Sequence, residues 1–474
     1  MNKNHVVWRK YIKGKLKTIS PLIIGSGEDN IHDIQCIKGI DGKPFIPGTS
    51  VAGVLRSLFE NGNSENEDVK RKILFGESGE EGRQSLFIFH DCFPDKKDND
   101  RPFSIRDGIC IDESTGTVKP GGKYDFEVID KDSSFDFRME VYLREKDVQK
   151  GLLPDAEKLV DEIIADMVGG YVSLGAKTSR GFGKVRLSDP LIDPPQSVTF
   201  DFRNEETRKE EAEKWLSFEW SSDLFESMHI DEDAKKPFGG GDSIAISAAF
   251  DIPGGIFIRS YPTDPSGPDA VHLMSGTSPV IPGTSWAGVL KTAIRNVGRD
   301  LNKLGSMESL NKEIFGNVNT KKEEDTSPSS IIIDESEIVN GYSHPYTRNK
   351  IDRFTGGVVS SSLFTEKPNW GGHVEFNCRI GKNKCKDKQA NQIKAMVGAV
   401  VLGLFDIGNG IQPVGGTSSV GRGILHVNSI KIDDDIVVEN HGEYGAEIPS
   451  ENSVLTPYLN ALGQYLMKEK GDAR

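Results

Sequence analysis

At 474 residues the chain is long enough for two or three domains. Its 36% hydrophobic and 27% charged content, with no apolar run near the ~20 residues of a membrane span, excludes a membrane-embedded class and fits a soluble globular protein. A net charge of −14 argues against an unaided nucleic-acid binder, because affinity for phosphates comes from Lys and Arg.

Local patches run against that average. The N-terminal stretch "MNKNHVVWRKYIKGK" lacks the apolar region of a signal peptide, and its "WRKYIKGKLK" (Trp8 to Lys17) carries five basic residues and no acid. The alternation of "YIKGKLKTI" predicts an opening strand. Next comes "IPGTSVAGVLRSLFE" (Ile46 to Glu60), where Val51, Val54, Leu55, Leu58 and Phe59 share one helical face. Pro47 and Gly48 make the turn before it, and Thr49 or Ser50 is placed to cap it. Strand-like "SLFIFHDCF" and a helix "AEKLVDEIIADMVGG" follow, then a glycine-rich loop, "LGAKTSRGFGKV" (Leu174 to Val185), and a closing strand. That loop offers Lys177, Arg180 and Lys184.

The pattern then repeats. "IPGTSWAGVL" from Ile281 matches nine of ten positions of the first helix start, and Trp286, Val289, Leu290, Ala293 and Ile294 restore its stripe. "LFG" at Leu74 answers "IFG" at Ile314, and "IDESTG" at Ile111 answers "IDRFTG" at Ile351. "VGGTSSVGRGIL" (Val414 to Leu425) repeats the glycine-rich loop with Arg422 as its one basic residue. Four landmarks in the same order imply duplication of a whole domain, far longer than a solenoid repeat. The expected divisions are residues 1–194, an acidic and partly helical linker at 195–241, a second copy at 242–433, and a C-terminal extension at 434–474. That extension carries a helix faced by Leu455, Tyr458, Leu459, Leu462 and Leu466.

Strand, helix, several strands, helix, strand is a ferredoxin-like α+β order. The paired helix starts, each with outward amides and a basic residue on the helix (Arg56, Lys291), read either as capped core helices or as phosphate sites. Their repetition favours phosphate, which makes Gly48, Thr49, Ser50, Gly283, Thr284 and Ser285 candidate contacts. The glycine-rich loops have neither Walker nor dinucleotide spacing. Five cysteines without a CxxC pair exclude a zinc site or disulfide framework and fit a reducing cytoplasm.

The opening strand, the "GSG" turn, the "IPGTS" helix and the glycine-rich loop before a strand together resemble the RAMP superfamily. More narrowly, "IRDGICIDESTGTVKPGGKYDFEVI" (Ile105 to Ile129) resembles the repeating backbone subunit of type III CRISPR effector complexes, and the chain looks like a tandem fusion of two, as in type III-D-like systems. The resemblance implies two tandem ferredoxin-like or RRM-like domains with inserted loops and hairpins. It implies guide (CRISPR) RNA, target single-stranded RNA and other complex subunits as partners, and no membrane. It also implies an endoribonuclease that needs a divalent ion, Mg or Mn, and an aspartate in the loop before each helix. Asp33 fits that place, and Asp269 fits if the second copy is one residue shorter there. Asp41 is an imperfect rival in a "DGK" turn, and Asp264 has no counterpart in the first copy. Some relatives have a histidine where this chain has Ile23 and Phe257. His32 and His272 lie near the aspartates in different registers. The hairpin region supplies Arg106, Lys119 and Lys123 in the first copy, with Arg348, Lys350 and Arg353 in the second, as expected RNA contacts. A purely structural RNA-binding subunit is the rival reading; a guide-processing nuclease predicts one histidine-based centre and is disfavoured by two aspartates.

Overall fold

A computed structural model describes residues 5–25, 33–59, 72–76, 82–95, 103–112, 117–189, 192–230, 243–262, 266–317, 326–381, 390–440, 446–448 and 452–468. The chain divides into two compact units. One comprises Met1–Gly108, Tyr124–Thr178 and Phe182–Gly240; the other comprises Ile109–Lys123, Ser179–Gly181 and Gly241–Arg474.

The first repeat, whose β3 and β4 ends at 109–111 and 118–123 group with the second unit, runs β1 (Val6–Thr18), α1 (Gly48–Phe59), β2 (Phe87–Phe89), β3 (Phe103–Ile111), β4 (Val118–Ile129), β5 (Ser134–Arg144), α2 (Glu145–Gln149), α3 (Leu152–Gly169), β6 (Val172–Ser173), β7 (Lys184–Leu187), β8 (Gln196–Asp201), α4 (Arg208–Leu216) and β9 (Glu226–Ser227). Its sheet has the order β2-β5-β1-β7-β6, with β8 also on β1, while β3 and β4 form a separate two-stranded ribbon. Alternation on β1 sends Trp8, Ile12 and Leu16 into the core, where they meet Val51 and Leu55 of α1 and Leu159, Ile163 and Met167 of α3.

The opposite face of β1 carries the basic run, and here the linker expectation needs correcting. Residues 196–228 are a built part of the first unit. β8 pairs with β1 from Trp8↔Asp201 to Lys13↔Gln196. Tyr11 lies under Phe218 (4.4 Å), Trp220 (5.6 Å) and Phe200 (5.9 Å), and its hydroxyl accepts from Trp215 Nε1 at 2.9 Å. Arg9 stacks on Trp215, Lys13 on Phe225 and Arg138 on Trp220. Lys15 pairs with Asp95 and Asp136. The face on which RRM domains stack bases is therefore filled by the chain's own rings. Acidic composition had concealed the aromatic spacing.

The second unit runs β10 (Ser243–Asp251), β11 (Gly255–Ile256), β12 (Arg259–Ser260), β13 (Ala270–His272), β14 (Met274–Ser275), β15 (Ser278–Ile281), α5 (Gly283–Asp300), α6 (Leu304–Phe315), β16 (Ile331–Ile333), β17 (Ser336–Val339), β18 (Tyr342–Ser343), β19 (Tyr346–Arg348), β20 (Phe364–Lys367), β21 (Asn369–Trp370), β22 (His373–Gly381), α7 (Ala390–Gly408), β23 (His426–Ile432), β24 (Asp435–Asn440), β25 (Ala446–Glu447) and α8 (Thr456–Lys468). Its main sheet centres on β22-β10-β23, continued by β24 and β25, so the C-terminal extension is part of this unit. Trp286 of α5 is fully buried between Phe250 and Phe376, and its Nε1 donates to Ser336 Oγ at 3.0 Å. α7 is long and apolar enough to cross a membrane by composition alone, although the sequence reading saw no such run. In the fold it is a core helix, with Ile393, Met396, Val400 and Leu404 buried, and α8 lies on it. A smaller sheet, ordered β12-β13-β20-β19, carries the candidate site. Both units are the expected α+β ferredoxin-like type.

Candidate nucleic-acid interface

Asp33 is exposed at the end of its loop. Its Oδ2 accepts the Asp125 amide at 3.0 Å, and its own amide donates to Asp125 Oδ1 at 3.3 Å. The next residues, Ile34 and Phe126, form a parallel bridge. Asp269 repeats this arrangement. Its Oδ2 accepts the Thr365 amide at 2.7 Å, and Ala270 and Glu366 follow as a parallel pair. The two aspartates thus occupy equivalent backbone places, which justifies the one-residue gap between the copies. Asp41 instead accepts the Lys43 amide in its own turn.

His272 is 2% exposed, bonded to the Ile258 amide and the Val280 carbonyl, and burial pushes it down to about 4. It is a core group. His32 and Asp264 lie outside the described residues. Among the described residues no three or more His, Cys, Asp or Glu side chains cluster as a metal site. The first site offers two carboxylates, Asp33 and Asp125, and the second offers Asp269. Such donor sets fit a hydrated Mg or Mn ion that completes its shell with water and phosphate oxygens, and do not fit an all-protein cage.

The repeated helix starts serve the chain itself. A Cβ at Gly48 would fall 2.1 Å from the Phe89 carbonyl oxygen; at Gly283 it would fall 2.4 Å from that of Arg180 and 2.5 Å from that of Ile333. The Gly48 amide donates to Asp91 Oδ1 at 2.8 Å, so a carboxylate of the chain already takes the donor meant for phosphate. Helix α1 begins at Gly48 and α5 at Gly283, so Thr49, Ser50, Thr284 and Ser285 lie inside the first turns and cap nothing by side chain in α5. The capping and phosphate-cradle expectations are corrected accordingly. Arg56 and Lys291 are half-buried further along these helices.

The glycine-rich loops have the same explanation. Ala176 and Gly416 donate to the Ile23 and Phe257 carbonyls, Gly183 and Gly423 to those of Pro21 and Gly255, all at 2.8 Å. Gly175 (φ +78°) and Gly183 (φ +79°) could not carry a Cβ without meeting the Ile23 and Leu174 carbonyls. Lys177 lies 3.6 Å from the Phe126 ring centroid and 4.5 Å from that of Tyr124, and burial pushes it down to about 8. Arg180, grouped with the second unit, donates to the Phe315 carbonyl (3.0 Å) and Ser329 Oγ (3.2 Å). Lys184 sits half-buried on β7.

A family model, the RAMP superfamily, matches residues 15–186 and 265–426, which is most of the chain and once per repeat. The chain belongs to the RAMP superfamily. This is a tandem RAMP protein, a CRISPR-associated RNA-binding subunit of the kind that binds CRISPR RNA and other subunits of its complex. Comparison with curated proteins finds no match.

Within the RAMP repeats, several expected RNA contacts prove to be internal. Arg106 is 3% exposed over the Phe182 ring. Arg422 is 3% exposed, donating to Glu366 Oε2 (3.0 Å) and Thr417 Oγ1 (3.1 Å); Arg348 pairs with the same Glu366 oxygen at 2.5 Å. Arg106 and Arg422 are therefore not surface contacts, since a charge this buried must be paired with protein groups, whereas the Arg348 side chain stays 39% exposed beside Glu366. Lys119, Lys123, Lys350 and Arg353 are exposed, the first two on the β3–β4 ribbon and the last two around the Ile351–Val358 bridge. The sequence reading missed Asp125, signalled by an acid inside a β-rich run. It also missed Arg259 and Tyr261, which replace the glycines of the "GSG" turn.

Proposed function

We propose that this RAMP protein is a fused pair of backbone subunits of a type III CRISPR ribonucleoprotein, holding guide RNA and cutting bound target RNA at two places. The observation that carries it is the pair of exposed aspartates, each pinned through Oδ2 by one main-chain amide in the same parallel-strand setting. A pinned carboxylate keeps its orientation while facing solvent, as a phosphodiester site requires. A divalent ion, when bound, would neutralise charge developing on the phosphate. Asp33 and Asp125 would hold it in the first repeat and Asp269 in the second. Lys119, Lys123, Lys350 and Arg353 would position the RNA by phosphate contacts that carry no sequence information. Exposed Ile105, Ile109 and Val118 on the first ribbon, and Phe354 (98% exposed) in the second, suit a wedge between paired strands.

The test is target cleavage by the assembled complex. Wild type should give two cuts at a fixed interval, Asp33→Ala should lose one and Asp269→Ala the other, with target binding retained. A 2′,3′-cyclic phosphate end assigns the nucleophile to the neighbouring 2′-hydroxyl. Normal cutting by both variants refutes these sites.

A further inference from the structure

The "GSG" turn of the first repeat is "RSY" in the second. The match is structural: Gly25 bridges Cys36 as Arg259 pairs with His272, each beside its aspartate strand. Tyr261 follows β12 directly, two residues after Arg259. The Arg259 guanidinium lies 5.2 Å from the Phe364 ring centroid and 5.8 Å from that of Tyr261. Lys123, grouped with this unit, places Nζ 4.7 Å from the Tyr261 centroid. Tyr261 remains 50% exposed.

Strand pairing sets this group beside Asp269. Arg259 stands opposite His272 and Ser260 opposite Val271, so the register continued by one residue brings Tyr261 level with Ala270. On the other side, Phe364 precedes Thr365, whose amide holds Asp269. Proteins that hold single-stranded RNA combine cations with exposed rings on which bases stack, and an arginine lying on a ring extends the flat surface. The two cations would also attract an approaching phosphate.

We infer that Tyr261, braced by Arg259, which itself lies on the Phe364 ring, is a base-stacking platform that fixes the target nucleotide beside the second cut. In sequence, the positions of Arg259 and Tyr261 are Gly25 and Gly27 in the first repeat, neither of which carries a ring. The assignment of a cut to this place rests on the function proposed above; the stacking does not.

The experiment uses the full chain assembled on guide RNA, with targets carrying 2-aminopurine at successive positions around the second cut. Fluorescence should be quenched at one position, and Tyr261→Leu, which keeps bulk but removes the ring, should release it. The same variant should slow the second cut about tenfold and leave the first unchanged, while Tyr261→Trp retains both signals. Asp269→Ala should abolish the second cut and keep the quenching. Quenching that survives Tyr261→Leu, or equal slowing of both cuts, overturns the platform. Quenching that depends on Tyr261 in a protein that never cuts there upholds the platform and overturns the cleavage reading instead.

Discussion

Gly48→Ala separates a structural glycine from a ligand-cradling one. The added Cβ would sit 2.1 Å from the Phe89 carbonyl oxygen, more than 1 Å inside van der Waals contact. That oxygen belongs to the main chain of β2, which pairs with β5 through Phe87↔Val141 and Phe89↔Met139, so it cannot rotate away as a side chain would. Overpacking of this kind costs about 1–3 kcal/mol, and displacing Gly48 also stretches its bond to Asp91, which points to the upper end. At ~2–4 °C per kcal/mol for a domain of this size, the first unfolding transition should fall by about 6–12 °C. Gly53, in the same helix, has nothing within 4 Å of its Cβ position, so Gly53→Ala should stabilise by up to about 1 kcal/mol. Thermal unfolding of the full chain reads both. RNA affinity per folded molecule should be unchanged in each. Unaltered melting of Gly48→Ala with lost RNA binding would refute the packing argument and restore the phosphate cradle.

The His272 ring is neutral in the fold, with its pKa lowered from 6.5 to about 4, so the unfolded chain binds more protons between those values. The second unit should therefore lose about 3 kcal/mol as pH falls from 6.5 to 4, and His272→Phe should remove that part of the pH dependence in denaturant titrations; an equal acid response in both proteins contradicts it. Arg422→Met leaves Glu366 (1% exposed) with Arg348 and Tyr346 alone and should destabilise by about 3–5 kcal/mol, whereas Arg422→Met with Glu366→Met should recover most of it; an additive double mutant refutes the pairing.

The duplication and the α+β order of each repeat were legible because glycines, caps and hydrophobic periodicity are local signals. Repeated glycines mark places where another group comes close to the backbone, but sequence cannot say what approaches. At Gly48, Gly175 and Gly183 it is the chain's own carbonyl oxygen. The Asp33–Asp269 correspondence was also readable once a one-residue gap was allowed, because each aspartate lies a short, nearly equal distance before its repeated helix start and is followed by the same parallel pairing. Burial was not readable. Arg106 and Lys119 look alike in sequence, yet one lies over Phe182 and the other is exposed, because that depends on contacts distant in the chain. The cover over β1 was missed for a similar reason: Trp215, Phe218, Trp220 and Phe225 stand among acids, and only β8 brings them to Tyr11.

The repeats keep a common backbone while exchanging the side chains that stabilise it. In the first, Arg106 lies over Phe182; in the second, the corresponding places hold Tyr346 and Arg422, which stack at 4.9 Å with cation and ring transposed. Phe126 lies at the bridge taken by Glu366 in the second repeat, and Lys177 stands where the second has Thr417, both in the left-handed region (φ +57° and +59°). The second repeat thus replaces the apolar contact under Lys177 by buried Glu366 and Arg422, with the part-exposed Arg348 on the same carboxylate. An acid introduced there needs the arginine that transposition supplies, because an unpaired buried carboxylate costs more than the aromatic contact it displaces. The same exchange beside each aspartate, Asp125 for Thr365 and Gly25 for Arg259, leaves two sites with one geometry and different surroundings. The first is richer in carboxylate and the second in cation and ring, so under the proposed function their metal dependence and target preference should differ even where their backbones coincide.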